Sequence, residues 1–218
     1  MRAGRIDSLY YLIAVLGTAI LLMSSPFVMA IEEPTYTVET TTDNFEIRNY
    51  APILVAETKI EEDFEDAGSS AFRILADYIF GNNRSKTKIE MTAPVSQQAV
   101  SEKIAMTAPV TQTKKGSGYT VQFTMPSKFS LETVPTPNDS RVEIKLIPAR
   151  RMAVRTYSGS WSEQNYNEEL EKLLLALKES GFSAKGEPVF ARFNSPFRLW
   201  FLRRNEIWVE LTALNSSK

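Results

Sequence analysis

The same order of hydrophobic patterns occurs twice in this chain, and the second copy follows the first at a constant offset of 97 residues, as from Glu46 to Glu143. In each copy, apolar and polar residues alternate over two short runs, and a longer run with helical spacing follows. Alternation predicts strands with one buried face, and the longer run predicts an amphipathic helix. The offset matches Glu46-Ile47-Arg48 to Glu143-Ile144-Lys145, Ala56 to Ala153, and Phe64 to Trp161. We therefore interpret the chain as a duplicated ββαββ unit.

Two such units must each bury one face of their strands and one stripe of their helix, and this requirement defines the fold class. We expect an α+β protein in which two βαββ-like repeats form a curved antiparallel sheet or distorted barrel flanked by two helices. The seam between the halves is a natural place for a cleft that holds a ligand.

The pattern gives approximate positions for the elements of both halves. In the first half we expect strands at 36–40, 45–50, 53–60, 89–95 and 119–125, with a long polar loop before the last, and a helix from its cap at Asp63 to Gly81. In the second half we expect strands at 142–147, 152–157, 188–193 and 206–211, and a helix from the capping box Ser160-Trp161-Ser162-Glu163 to Gly181.

The N-terminal segment, residues 1–30, has the layout of a targeting signal. Two arginines precede a mostly apolar run at 9–23, and small residues lead up to Ala30. This order predicts a secretory signal peptide cleaved after Ala30, in front of a domain at 31–218. The alternative is an uncleaved membrane anchor at 9–31, since about 20 apolar residues span a bilayer. Both alternatives predict export to a periplasmic or extracellular space, with membrane contact only through this segment.

Composition excludes several kinds of chemistry. The chain has no cysteine and no histidine, which excludes disulfides, thiolate sites, and the Ser-His-Asp, Cys-His and His-metal mechanisms. Its formal net charge is -1 and it has no long basic run, so nucleic acid is not an expected partner. The sequence does not identify a protein partner.

A near-identical repeat supplies the most distinctive motif. Lys-Ile-Glu-Met-Thr-Ala-Pro-Val at 88–95 recurs as Lys-Ile-Ala-Met-Thr-Ala-Pro-Val at 103–110. Together with Phe-Leu-Arg-Arg-Asn-Glu-Ile-Trp-Val-Glu-Leu at 201–211 and Glu-Ile-Arg-Asn-Tyr at 46–50, it makes the chain resemble the SOUL haem-binding family over residues 36–211. The pair of βαββ-like repeats that this resemblance implies agrees with the fold class expected from the patterns.

Two interpretations of these motifs stay open. Met91 and Met106 either fill the core, which is the commoner role of a strand methionine, or act as thioether ligands of iron. The Arg203-Arg204-Asn205-Glu206 motif is either a binding site or, as we prefer, a loop held by ion pairs and amide hydrogen bonds.

The resemblance implies a non-catalytic protein that binds haem or another tetrapyrrole on an apolar surface of the first helix, with basic groups at the propionates. The residues that match this description are Phe72, Arg73, Ala76 and Ile79 on the helix, and Phe197 and Arg198 in the loop before the Arg-Arg-Asn-Glu motif. Arg198 is the first choice of propionate partner and Arg73 the second. Asp77 departs from the family, which has a basic residue there. Without histidine, haem is held by apolar contact, or through Tyr78, Tyr166 or a methionine.

Three other functions remain in competition with tetrapyrrole binding. The first is a binding module for another hydrophobic small molecule or lipid. The second is a hydrolase in which Glu90, Glu206 or Glu210 acts with Tyr119 as base and donor. The third is a protein of the cell envelope that binds another protein.

Overall fold

The computed structural model describes residues 31–86 and 100–212. The expected leader, the strand at 89–95 with the first Met-Thr-Ala-Pro-Val copy, and the candidate base Glu90 lie outside the described residues.

The described residues form two α-helices and eleven strands, with one short 3₁₀ turn. The helices are α1 (Phe64–Ile79) and α2 (Glu163–Glu179), and the 3₁₀ turn is Trp200–Leu202. The strands are β1 (Tyr36–Thr41), β2 (Glu46–Tyr50), β3 (Ile53–Ile60), β4 (Asn83–Arg84), β5 (Val110–Lys115), β6 (Gly118–Thr124), β7 (Thr136–Pro137), β8 (Glu143–Ile147), β9 (Arg150–Tyr157), β10 (Ala184–Arg192) and β11 (Asn205–Leu211).

Nine of these strands form one antiparallel sheet in the order β1-β2-β9-β11-β10-β5-β6-β3-β8, and β4 pairs separately with β7. The sheet curves into a half-barrel, which confirms the expected α+β class. The pairing also shows the duplication. Glu46 of β2 lies opposite Val154 of β9. At the offset of 97 residues, Glu46 is equivalent to Glu143 of β8, and Glu57 of β3 is equivalent to Val154. Glu143 and Glu57 also lie opposite each other. The first strand of the duplicated unit, which is β2 in one half and β8 in the other, therefore pairs with a strand of the opposite half.

Both helices pack against apolar side chains on one face of the sheet, which we call the inward face of the strands. Helix α1 lies against β3 and β6 through residues such as Leu75 and Ile79, and α2 lies against β9, β10 and β11 through Leu173 and Leu177. A third cluster, around Trp208, fills the other face of the sheet. No helix of the described residues is long and apolar enough to cross a membrane.

The ends of the helices differ in detail from the sequence expectation. Ser162, rather than Ser160, is the N-cap of α2, and its Oγ accepts a hydrogen bond from the Asn165 backbone N at 3.3 Å. Asp63 is the N-cap of α1, as expected, but its side chain makes no capping hydrogen bond.

The expectation of a single long loop before residue 119 is wrong, because strand β5 lies within it. This strand pairs with β6 on one side and β10 on the other, where Gln112 lies opposite Phe190 at the seam between the halves. Its inward side chains are polar, so it lacks the apolar alternation that identifies a strand. Gln112 is nevertheless buried, because its Nε2 donates to the backbone carbonyl of Phe64 at 2.8 Å.

Candidate ligand-binding site

A cleft of about 620 Å³ opens between the first half of α1, the turn that precedes α2, and the ends of β5 and β10. Its volume is in the range of small-molecule sites. Its walls combine apolar and polar side chains with three charged ones. The lining residues are Glu65, Gly68, Ser69, Phe72, Arg73, Val110, Ser160, Trp161, Ser162, Arg192, Asn194 and Pro196.

Arg192 is the most unusual residue of this cleft. Its guanidinium is packed between Trp161 and Phe190, with Cζ 5.4 and 5.1 Å from the two ring centroids, and one Nη donates to Gln112 Oε1. Its Nε is buried and has no hydrogen-bond partner, and no carboxylate of the described residues forms an ion pair with it. Burial lowers the pKa of the Arg192 guanidinium to about 10, so the group is still charged at neutral pH. A buried cation without a counter-ion favours an anionic ligand.

Gly68 allows this guanidinium to lie directly against α1. A Cβ built on Gly68 would come within 2.3 Å of an Arg192 Nη. The position of the Arg192 guanidinium against α1 therefore depends on the missing side chain.

Trp161 forms the opposite wall, and the second half of the chain fixes its position. Its Nε1 donates to Asn205 Oδ1 at 2.8 Å, and the Asn205 Nδ2 donates to the Gly159 carbonyl at 3.2 Å. The Arg203 guanidinium packs over the Trp161 ring, with Cζ 4.3 Å from its centroid. The indole is thus held as a rigid surface at the edge of the cleft.

The rest of the Arg-Arg-Asn-Glu motif is structural, as preferred from the sequence. Glu206 is fully buried and accepts hydrogen bonds from Arg48, Arg204 and Trp208. Arg204 also pairs with Glu33, with Nη1 2.9 Å from Oε1. The motif therefore holds the β11 end of the cleft by ion pairs and amide hydrogen bonds.

The structure brings together only some of the residues predicted to bind a ligand. Phe72 and Arg73 line the cleft. Ala76 and Ile79 lie further along α1, are 7% and 1% exposed, and pack in the core. Phe197 and Arg198 are exposed and do not line the cleft, but they belong to the same loop as Pro196, which does.

Sequence analysis missed Arg192 and Trp161. A signal for Arg192 exists, because it lies two residues after Phe190 in β10 and so shares the inward face of that strand. A charged side chain at an inward position of a buried strand needs a partner or a function. Trp161 was predicted as the equivalent of Phe64 in the duplication and as part of the capping box before α2, but not as a site residue.

The described residues among the iron ligands considered from the sequence do not line this cleft. The Tyr78 hydroxyl is buried and donates to the Pro135 carbonyl at 2.8 Å. Tyr166 stacks against Phe64, with ring centroids 5.1 Å apart. Met106 is exposed and does not line the cleft, and Met91 lies outside the described residues. The described residues contain no cluster of three or more carboxylates that could hold a metal ion.

Glu206 and Glu210, the two described glutamates that were considered for hydrolysis, form ion pairs elsewhere. Glu206 is committed to its ion pairs with Arg48 and Arg204, and Glu210 pairs with Lys185 at 3.2 Å. Burial raises the pKa of Tyr119, and the carboxylates that add to this effect are those of Glu163 and Asp63. Neither is one of the glutamates predicted as a base.

The half-barrel and its cleft define a class of protein, a small-molecule-binding domain built from a duplicated unit. The model of the family described as SOUL heme-binding protein matches residues 31–210, and the chain belongs to that family. It is 32% identical over 175 residues to human Heme-binding protein 2, covering 76% of this chain and 77% of the human one.

Solved structures show the same fold at low sequence identity. The C-terminal domain of EcmrR superposes with a TM-score of 0.54 at 10% identity, covering 82% of this chain and 99% of that one. A hydrolase from Listeria innocua gives a TM-score of 0.52 at 9% identity, covering 80% and 94%. At such identities the likeness concerns the fold alone.

Proposed function

We propose that this chain binds haem or a related tetrapyrrole in the cleft between α1 and the end of β10. The observation that carries the proposal is Arg192, a guanidinium with a buried, unpartnered Nε and no counter-ion among the described residues, in a cleft with aromatic walls. A tetrapyrrole offers both complementary parts, since its macrocycle covers Phe72 and Trp161 and a propionate reaches Arg192. Arg73, at the rim, is the second cation available to a propionate.

Haem would be held here without a bond from a protein side chain to iron. The described residues that line the cleft include no histidine, cysteine, methionine or tyrosine. Binding then depends on burial of the macrocycle and on the carboxylates, and the iron remains available to small molecules. A carrier, buffer or sensor fits this mode of binding better than a redox enzyme with a fixed axial ligand.

This binding mode predicts that iron contributes little to affinity. We expect iron-free protoporphyrin IX to bind within about tenfold of haemin, because a lost coordinate bond would change the binding free energy by more than about 1.4 kcal/mol. Quenching of tryptophan fluorescence measures both ligands on one scale, and the Soret band of haemin gives an independent value. A strong preference for haemin, with a Soret spectrum typical of an axial ligand, would contradict the proposed mode.

A different hydrophobic small molecule is the alternative ligand, and the large apolar part of the cleft wall supports it. Thermal unfolding with a panel of flat aromatic acids and lipids distinguishes the two, because a ligand of the native state raises the melting temperature. An increase with such compounds and none with either porphyrin would favour the alternative.

We also propose that the domain acts outside the cytoplasm, on the basis of the N-terminal pattern of arginines, apolar run and small residues. Mass spectrometry of the protein from fractionated cells tests this localisation. A mature N-terminus at residue 31 indicates cleavage, an intact chain in the membrane fraction indicates an anchor, and an intact cytoplasmic chain rejects export.

A further inference from the structure

The loop between β10 and β11, residues 194–204, exposes a continuous set of large apolar side chains. Phe197 is 95% exposed, Trp200 60% and Leu199 58%, and the neighbouring Phe201 and Leu202 are also more than half exposed. Exposed apolar residues are ordinary when scattered, but a contiguous group of this size marks an interaction surface. We call residues 196–202 the aromatic loop.

Hydrogen bonds hold the aromatic loop in one conformation. Arg198 Nε donates to the Leu202 carbonyl at 2.7 Å, and Arg203 donates to the carbonyls of Arg198 and Pro196 at 3.0 and 2.8 Å. The carbonyl of Trp200 also accepts from the Gly159 backbone N at 3.2 Å. The apolar side chains are therefore presented outward by a fixed backbone.

The charge of this region favours an anionic partner. Between Phe193 and Asn205 the chain has three arginines and no acidic residue. Arg204 is neutralised by Glu33 and Glu206, whereas Arg198 and Arg203 bond to backbone carbonyls. Tryptophan and phenylalanine beside arginine are the composition of segments that lie in the interface of a membrane with anionic lipids.

From these observations we propose that the aromatic loop docks on the surface of a lipid bilayer that contains anionic head groups. Phe197, Leu199 and Trp200 enter the interfacial region, and the exposed Arg198 faces the phosphates. Pro196 lines the ligand cleft as well, so the docked protein holds the rim of its cleft at the membrane surface. The proposal does not depend on which ligand the cleft binds.

The absence of cysteine from the sequence allows a direct test, because one introduced cysteine gives one labelled position. The full-length Leu199→Cys variant carries an environment-sensitive fluorophore and is mixed with vesicles of phosphatidylcholine and phosphatidylglycerol that contain a lipid-linked nitroxide quencher. The matched control is Ser117→Cys, an exposed position in the β5–β6 turn. Because Val110 lies opposite Arg192, this turn is at the other end of the strands from the aromatic loop.

We expect quenching of the label at position 199 to be at least about twofold stronger than at position 117. Quenching should decrease when phosphatidylglycerol is omitted, and when Phe197→Ser and Trp200→Ser are added to the labelled variant.

Equal quenching at both positions, or no quenching at position 199, would overturn the proposal. A change in the fluorescence of the label at position 199 that occurs without lipid and increases with protein concentration would also overturn the proposal. The aromatic loop would then be covered by a second copy of the chain. A porphyrin titration of the same samples reports on the cleft separately, so failure of one proposal does not imply failure of the other.

Discussion

Arg192→Met is expected to weaken protoporphyrin binding by about 10–100-fold. A hydrogen bond to a charged group contributes about 1.5–3 kcal/mol, and each 1.4 kcal/mol changes the dissociation constant tenfold. The methionine fills a similar space between Trp161 and Phe190 but offers no donor to a propionate. The apo protein should remain folded, because the substitution removes a buried charge that has no carboxylate partner among the described residues.

The dimethyl ester of protoporphyrin shows whether the lost affinity comes from the carboxylate. Wild type and Arg192→Met should bind the ester equally, since it has no carboxylate for the guanidinium to bind. Arg198→Met is the matched control, because Arg198 does not line the cleft. A larger loss of porphyrin affinity with Arg198→Met than with Arg192→Met would instead support Arg198 as the propionate partner, as predicted from the sequence. A loss that is equal for the acid and the ester would show that Arg192 acts only on the shape of the cleft.

Glu206→Ala is expected to reduce the free energy of unfolding by about 3–5 kcal/mol, the loss that follows when one partner of a buried ion pair is removed. The Glu206 side chain is 0% exposed and lies 3.1 Å from Arg48 Nη1 and 2.7 Å from Arg204 Nη2. It also accepts from Trp208 Nε1 at 2.7 Å. Removing the carboxylate leaves the buried Arg48 without its partner in β11, so the connection between β2, β9 and β11 is weakened.

Glu210→Ala is the matched control on the same strand. Glu210 is partly exposed and pairs with Lys185, so its removal should reduce the free energy of unfolding by no more than about 1 kcal/mol. Urea unfolding followed by far-UV circular dichroism measures both variants. The double variant Arg48→Met, Glu206→Leu should regain part of the lost stability, because it removes a buried guanidinium that would otherwise keep only its ion pair with the partly exposed Glu46. Equal losses for Glu206→Ala and Glu210→Ala would mean that the buried network contributes no more than a surface ion pair.

The sequence was sufficient to predict most of the elements of the fold. Both helices and most of the described strands lie where periodicity places them, because each buries one face and so repeats its apolar residues at 2 or 3.6 positions. The duplication was also visible, and the equivalent pairs Glu46–Val154 and Glu143–Glu57 confirm it. Strand β5 was missed because hydrogen bonds, rather than apolar contacts, satisfy its inward side chains.

The candidate site was predicted in part. Phe72 and Arg73, which the family resemblance implied, line the cleft, although whether they contact a ligand stays a prediction. Ala76 and Ile79 lie on the buried stripe instead, because the positions of an α-helix that face the core depend on what the helix packs against. Whether Phe197 and Arg198 contact a ligand stays a prediction.

By itself, the sequence determined the family, the duplicated architecture and the absence of cysteine and histidine chemistry, because each of these is a property of residue type and order. Only the tertiary structure decided which strands are neighbours and which cation faces the cleft. Gly68, Trp161 and Arg192 come from three distant parts of the chain, and no local pattern connects them. The Arg192 Nε is buried, and the guanidinium has no counter-ion among the described residues, because of its neighbours in space, whereas periodicity reports only on the neighbours of a residue within its own element.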